Sequence, residues 1–294
     1  MGGTFWQRLL RGTWHVAAGP DWPAFAGPGW TERIMTVQLG DRFHAKQGRS
    51  TARWVLQAPA GKLVVFLKRH YVLGRWRGLL ATLFPRAGWS PAMQERRHLA
   101  QAAALGLPVP RAVAVGERIG PWGRFQSFLA VQELTDMLPL HEAIPAAAAR
   151  LSPREFVRWK RTLAVELARL ARALHDRRLF HKDLYLCHFF IHHDDTRTIP
   201  DWRGRVQLID LHRLGRHPWT WRLWQAKDLG QLVFSSDIEE ITDRDRLRFW
   251  FAYAGAEGRS RTGRLLRRAV LLKWRTYRRH NLRHNKSKAG KPMS

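Results

Sequence analysis

Four residues of this 294-residue chain have the types and contexts that phosphoryl transfer from a nucleotide requires. Such a transfer needs a cation for the donor phosphates and a carboxylate to orient that cation. It also needs a carboxylate beside the acceptor hydroxyl and another to hold a metal ion. Lys68 ends the apolar run Leu63–Lys68, and Glu95 stands one helical turn before Leu99. Asp183 lies in His181-Lys182-Asp183-Leu184, and Asp210 closes the run Val206-Gln207-Leu208-Ile209. Taken singly, each has a bland reading: a solvated lysine, a surface glutamate, an aspartate that turns a corner. The compound order, with His-x-Asp after a long helix and a second strand ending in Asp, is harder to dismiss and is the order a protein kinase uses.

The elements that must position these residues are legible in outline. Arg53–Gln57 and Leu63–Lys68, separated by Ala58-Pro59-Ala60-Gly61, read as a hairpin, preceded by the small polar turn Lys46–Thr51. Ser90 and Pro91 open a helix that the Gly106–Pro110 segment stops near Leu105. On it, Glu95 shares the apolar face, a costly place for a carboxylate without a partner. Ala112–Val115 and Gln126–Leu134 read as further strands. Ser152-Pro153-Arg154-Glu155 is a capping box for a long helix, with Phe156, Trp159, Leu163, Leu167, Leu170 and Leu174 on one face. Leu179–His193 and Val206–Leu211 bracket a polar insertion, Asp194–Gly204, and helices resume around Trp221–Phe234. Strands first and helices later predict an α+β protein with a small β-rich lobe and a larger helical lobe sharing a nucleotide cleft. The expected divisions are an irregular Trp/Gly/Pro-rich lead-in over 1–32, an N-lobe over 33–134, a C-lobe over 135–258 and a basic helical tail over 259–294.

Composition bounds the partners. Fifty-one Lys and Arg against 23 Asp and Glu give a formal charge of +28, a surface that attracts polyanions. Fifteen Trp tilt the choice toward a membrane–water interface. One cysteine, Cys187, excludes an internal disulfide and a four-cysteine zinc site. Arg8 and Arg11 interrupt any signal-like apolar stretch, and no run approaches the roughly 20 residues of a membrane span. The expected location is therefore the cytoplasm, with any membrane contact peripheral. Thirteen Lys or Arg lie from Arg259 to Lys291 with no acidic residue among them. The stripe Leu266, Val270, Trp274 and Tyr277 within that tail admits two readings, a docked helix with a basic back or a helix lying on an anionic membrane surface.

The stretch His181-Lys182-Asp183-Leu184-Tyr185-Leu186-Cys187-His188-Phe189-Phe190-Ile191, followed by Leu208-Ile209-Asp210-Leu211-His212-Arg213, resembles the heptose kinases of the lipopolysaccharide core. These belong to a wider lipopolysaccharide kinase family with a protein-kinase-like fold. The resemblance spans Arg33 to about Ser236. It implies ATP as donor, Mg²⁺ as metal and an inner-core heptose of lipopolysaccharide as acceptor, at the cytoplasmic face of the inner membrane. Lys68 would contact the donor phosphates, with Glu95 holding it, and Gly48, Arg49 and Ser50 would form the turn over them. Glu133, in Val131–Leu134, would lie in the hinge against the adenine. Asp183 would act on the acceptor hydroxyl and Asp210 would ligate the metal, while His181 and Asp228 would support the loop. His188 stands where protein kinases place a second metal-binding Asn, and imidazole is a poor Mg²⁺ ligand. Three roles are open to it: contact with a phosphate, a softer metal, or packing. An acidic carrier protein is a further partner suggested by charge.

The rivals are a kinase of the same fold acting on Kdo, another glycan or a protein tyrosine, a basic nucleic-acid-binding protein, and a scaffold without turnover. Nucleic acid is not expected, because no recognised binding motif is present and the reading leaves Lys68, Glu95, Asp183 and Asp210 unexplained. His192, His193, Asp194 and Asp195 are expected to be solvated rather than metal-binding.

Overall fold

The computed structural model describes residues 4–40, 42–44, 48–59, 61–85 and 88–289. The chain divides into two compact units, one of residues 1–101 and 110–135, the other of 102–109 and 136–294.

The first unit comprises α1 (Phe5–Leu10), β1 (Thr13–Ala18), α2 (Trp22–Ala26), α3 (Trp30–Arg33), β2 (Arg42–His44), β3 (Arg49–Ala58), β4 (Gly61–His70), α4 (Arg75–Leu83), α5 (Pro91–Ala104, whose last residues join the second unit), β5 (Ala112–Ile119) and β6 (Phe125–Gln132). Its six strands form one antiparallel sheet in the order β1-β5-β6-β4-β3-β2. Alternation along β4 buries Val65, Leu67 and Arg69 on one face. That face, with Phe128 and Ala130 of β6, is apolar and must be covered. The lead-in covers it: Trp22, Ala26, Ile34 and Met35 complete this core, with Trp14, Trp30 and Trp54 packed around it. The expectation of an irregular lead-in is thus corrected, since residues 13–18 are an edge strand and residues 22–35 a packing layer. Several tryptophans are spent on cores rather than on an interface, with Trp22, Trp159, Trp202 and Trp250 all buried. The helix α4 was not legible in the sequence.

The second unit comprises β7 (Met137–Pro139), α6 (Leu140–Arg150), α7 (Pro153–His175), β8 (Leu179–Phe180), β9 (Phe189–His192), β10 (Gln207–Leu208), β11 (Gly215–Arg216), α8 (Trp221–Ser235), α9 (Asp243–Ala254) and α10 (Arg261–Ala289). Ser152 caps α7 with the expected reciprocal bonds to Glu155. Trp159, Leu163, Leu167, Leu170 and Leu174 are buried along the face its periodicity defines. β9 pairs antiparallel with β10, Phe189 opposite Leu208, and with β7. The insertion after β9 is not a solvated loop. Asp195 and Thr196 are buried, the Asp195 carbonyl accepts from Trp159 Nε1 at 2.7 Å, and buried Trp202 donates to Thr162 at 3.0 Å. Trp159 is too large to bury without a partner for its N–H, and the insertion supplies one.

The tail α10 docks on α8. Val270 is buried, Trp274 Nε1 donates to Asp237 at 2.8 Å, and Tyr277 lies 5.9 Å from Phe234 between ring centroids. A side chain at Gly230 would stand 2.7 Å from the Lys273 Cβ, so glycine there permits the close approach. The docked reading of the aromatic stripe therefore holds. Arg267, Arg268, Arg275 and Arg279 remain exposed.

Candidate functional site

In the first unit, Lys68 alternates away from the buried Val65–Leu67 face of β4. Its ammonium donates to Glu95 Oε1 at 2.6 Å. Glu95 is buried on the α5 face that also buries Ala92 and Leu99. A carboxylate at that position needs a cation, and Lys68 provides it.

The phosphate turn is realised only in part. Gly48 takes a left-handed turn, φ +55°, and its carbonyl accepts from Tyr71 N at 2.8 Å. Lys46 and Gln47 lie outside the described residues. Arg49 begins β3 opposite His70. Ser50 does not face outward: it is 2% exposed, and its hydroxyl lies 3.2 Å from both Tyr71 Oη and Arg69 Nε. Strand alternation puts it on the core side with Arg69, which removes its hydroxyl from the expected phosphate contact. The Glu133 carboxylate is likewise engaged, by a two-pronged pair with Arg53 at 2.6 and 2.8 Å, which holds it below the ordinary carboxylate range. Its N–H donates to the Val64 carbonyl at 2.9 Å.

In the second unit the loop from His181 to Leu186 connects β8 to the turn before β9, and Lys182 adopts φ +70°. Four of its backbone N–H groups are satisfied by one face of α8. Asp228 accepts from His181 N and Lys182 N, each at 2.8 Å. Gln231 accepts from Leu184 N at 3.2 Å, and Ser235 from Leu186 N at 2.9 Å. The spacing i, i+3, i+7 is what places these three side chains in a row. Asp228 is fully buried and also meets His175 Nε2 at 3.3 Å.

Beyond this braced loop, His188 meets the Asp183 backbone on one side and the Asp210 carboxylate on the other. His188 Nδ1 donates to the Asp183 carbonyl at 2.6 Å, while its Nε2 stands 3.7 Å from Asp210 Oδ2. Burial opposes a charge on His188, but its bonds with Cys187 and the Asp183 carbonyl, together with the Asp210 charge, outweigh burial and raise its pKa. His181 stacks on His188 at 5.5 Å and donates from Nε2 to the Ile209 carbonyl at 2.9 Å. Burial holds it below the ordinary histidine range. Asp210 sits in left-handed backbone, φ +62° and ψ +48°, a conformation that a non-glycine residue adopts at a cost. His212 Nδ1 bonds Asp210 Oδ1 at 2.6 Å, and Arg213 NH1 lies 2.9 and 2.8 Å from the two Asp183 oxygens.

Within the first unit, then, the structure brings Lys68 to Glu95. Within the second it gathers His181, Asp183, His188, Asp210 and Asp228. Arg213, His212, Gln231 and Ser235 received no role from the sequence. The last two were findable as the i+3 and i+7 positions after Asp228. The Arg213 contact with Asp183 spans 30 residues and has no local signal. Among the described residues, no three of His, Cys, Asp and Glu gather as a ready-made metal cage. Asp210 offers a carboxylate oxygen, which fits a magnesium ion that takes most of its shell from phosphate and water. His188 has spent Nδ1 on a carbonyl and offers only nitrogen, which does not fit it as a magnesium ligand.

Residues 37–253 match the lipopolysaccharide kinase (Kdo/WaaP) family. The chain is similar to the lipopolysaccharide core heptose(I) kinase WaaP of Pseudomonas aeruginosa, 32% identical over 226 residues that cover 76% of this chain and 79% of that protein. It is also similar to the enzyme of that name from Escherichia coli K12, 29% identical over 74% of this chain and 78% of that protein. Among solved structures, WaaP in complex with acyl carrier protein superposes with a TM-score of 0.61 and 26% identity, covering 88% of this chain and 99% of that one.

Proposed function

Because this chain belongs to the lipopolysaccharide kinase (Kdo/WaaP) family, we propose that it transfers the γ-phosphoryl group of ATP to a heptose hydroxyl of the lipopolysaccharide inner core. Family membership makes it a kinase of α+β, protein-kinase-like fold, with ATP as donor. The observation that carries the finer reading is the placement of His188, which bonds the Asp183 backbone of the loop that α8 braces and faces the Asp210 carboxylate. Asp183 would orient the acceptor hydroxyl and take its proton. Lys68, held by Glu95, would bind the donor phosphates, and the backbone around Glu133 would serve as the adenine hinge. Magnesium would be held by Asp210, where it would neutralise charge on the transferring phosphoryl group. His188 would be a positioning residue for the Asp183 backbone and the Asp210 carboxylate rather than a metal ligand.

An acidic carrier protein is proposed as partner, supported by the formal charge of +28 and by the complex in which the similar solved structure was captured. The second unit contains an apolar cavity lined by Ile144, Leu163, Leu167, Leu186, Leu232 and Phe249, of the character an acyl chain requires.

The test is the purified chain with ATP and lipopolysaccharide from a strain deleted for the corresponding gene, with the core analysed by mass spectrometry. One phosphate is expected to appear on a heptose, and Lys68→Met is expected to lower the rate about 100-fold or more. Phosphate on Kdo instead, or on no core sugar, would overturn the acceptor assignment.

The reading also places the enzyme peripherally at an anionic membrane face. Among the described residues no helix is long and apolar enough to cross a membrane. Since Trp274 and Tyr277 face α8, contact would fall to the outward arginines of α10. Truncation after Gly258 is expected to weaken binding to anionic vesicles and raise the KM for membrane-bound acceptor. It should also lower the Tm, because α10 buries Val270 and covers α8. Charge reversal at Arg268 and Arg275 keeps α10 in place and should reproduce the vesicle defect alone. Unchanged vesicle binding by that variant across a salt titration would leave α10 as a docked helix only.

A further inference from the structure

The loop that carries Asp183 has a second charged assembly beside it that the catalytic roles do not use. Lys182 and Lys227 both place their ammonium groups over the ring of Trp224, 5.1 and 5.2 Å from its centroid. His217 stacks on the same indole at 4.5 Å. Lys227 donates to the Lys182 carbonyl, which leaves it further donors, and an ammonium has three. A Cβ at Gly215 would lie 2.5 Å from Lys182 Nζ and 3.3 Å from His217 Nε2, so the absent side chain makes room for both. That His217 nitrogen is buried without a hydrogen-bond partner.

Two like charges sharing one ring repel, and partial burial adds a desolvation cost. Both lysines are accordingly held below the ordinary range, by burial first and then by neighbouring cations: Arg213 for Lys182, Arg213 and Lys182 for Lys227. The nearby carboxylates do not offset this. Asp228 is saturated by two backbone N–H groups and His175, and Asp183 is paired with Arg213. The cluster holds more positive charge than its own side chains neutralise, at the margin of the reacting group, and an incoming anion would remove the imbalance.

Resting on the acceptor assignment above, we infer that Lys182 and Lys227 on Trp224 form an anion subsite that holds a carboxylate or phosphate of the acceptor glycan and so presents its hydroxyl to Asp183. The indole serves as the platform on which both ammonium groups rest. Arg213, already on Asp183, links the subsite to the reacting carboxylate.

The test uses the full chain and one core oligosaccharide in three forms: native, carboxyl-reduced and phosphate-free. With native glycan, Lys182→Met and Lys227→Met are each expected to raise KM about tenfold or more, the size of one lost charge-assisted bond. Lys227→Arg, which keeps the charge, should largely restore it. The wild-type chain should show the same rise with whichever modified glycan lacks the bound anion, which identifies carboxylate or phosphate as the source. On that glycan the Met substitutions should have no further effect. Equal KM rises on charged and uncharged glycans would assign the lysines to loop architecture alone and overturn the subsite, as would unchanged KM on all three. Calorimetry of the same glycans needs no turnover and separates this inference from the acceptor assignment. Charge-selective binding that the Met variants lose, with no heptose phosphorylation, would keep the subsite and discard the heptose assignment. Equal binding of charged and uncharged glycans by the wild-type chain would discard the subsite whatever the reaction.

Discussion

Asp183→Ala is expected to lower phosphoryl transfer about a thousandfold while leaving the fold intact. In the proposed reaction this carboxylate takes the acceptor's proton, and general-base contributions are of this order. Its removal touches little else: the carboxylate pairs with the half-exposed Arg213, and such pairs contribute at most about 1 kcal/mol. The loop's shape rests on backbone N–H groups and the Asp183 carbonyl, which alanine keeps. Steady-state kinetics beside thermal melts check both halves. A variant with near wild-type kcat would remove Asp183 from the mechanism, whereas a collapsed melting transition would show its side chain to be structural. Asp183→Asn should fall nearly as far, since an amide keeps the shape and not the basicity.

Asp228→Ala is expected to have the largest effect on stability. Asp228 is fully buried, and its two oxygens terminate the N–H groups of His181 and Lys182 and meet His175, whose other nitrogen bonds Tyr253 Oη at 2.8 Å. Alanine leaves the buried His181 N–H and the partly buried Lys182 N–H without acceptors, at roughly 1–3 kcal/mol for the buried one. Loss of a buried charged partner typically totals about 3–5 kcal/mol. For a chain of this size that corresponds to a Tm lowered by roughly 10 °C. Activity should fall as well, through loosening of the loop rather than through chemistry. Asp228→Asn, which retains one acceptor oxygen, should land between. A wild-type Tm for Asp228→Ala would mean that water or another side chain satisfies the loop, and the bracing role of α8 would have to be abandoned.

These two aspartates divide the labour of the second unit. In the proposed reaction Asp183 would face the acceptor hydroxyl, while Asp228, Gln231 and Ser235 accept from the N–H groups of His181, Lys182, Leu184 and Leu186. His188 then couples Asp183 to Asp210, whose left-handed backbone turns the chain sharply into the segment carrying His212 and Arg213. Arg213 on Asp183 is a feature of the site as it stands, and an acceptor hydroxyl would share that carboxylate with the guanidinium.

The sequence by itself determined the elements whose signals are local. The Ser152 capping box, the apolar face of α7, the β3–β4 hairpin and the stop after α5 each depend on residues within a turn or two, and each stands where periodicity places it. The Lys68–Glu95 pair was legible for a related reason: a carboxylate on an apolar helix face demands a cation, and the preceding strand carries one in Lys68. Tertiary structure alone decided the rest. The lead-in reads as irregular because its cover of Trp22, Ile34 and Met35 makes sense only against a sheet face assembled from strands much further along the chain. Ser50 reads as a phosphate-turn residue until strand register places it opposite Arg69 and turns its hydroxyl inward. Asp195 looks solvated in a polar run, yet Trp159, thirty-six residues earlier, needs its carbonyl. The tail's aromatic stripe has the same pattern whether it meets a membrane or α8, and only Asp237 and Phe234, waiting on the neighbouring segment, settle the partner. Periodicity states which face of an element is apolar, while the identity of what covers that face is a property of distant chain brought near by folding.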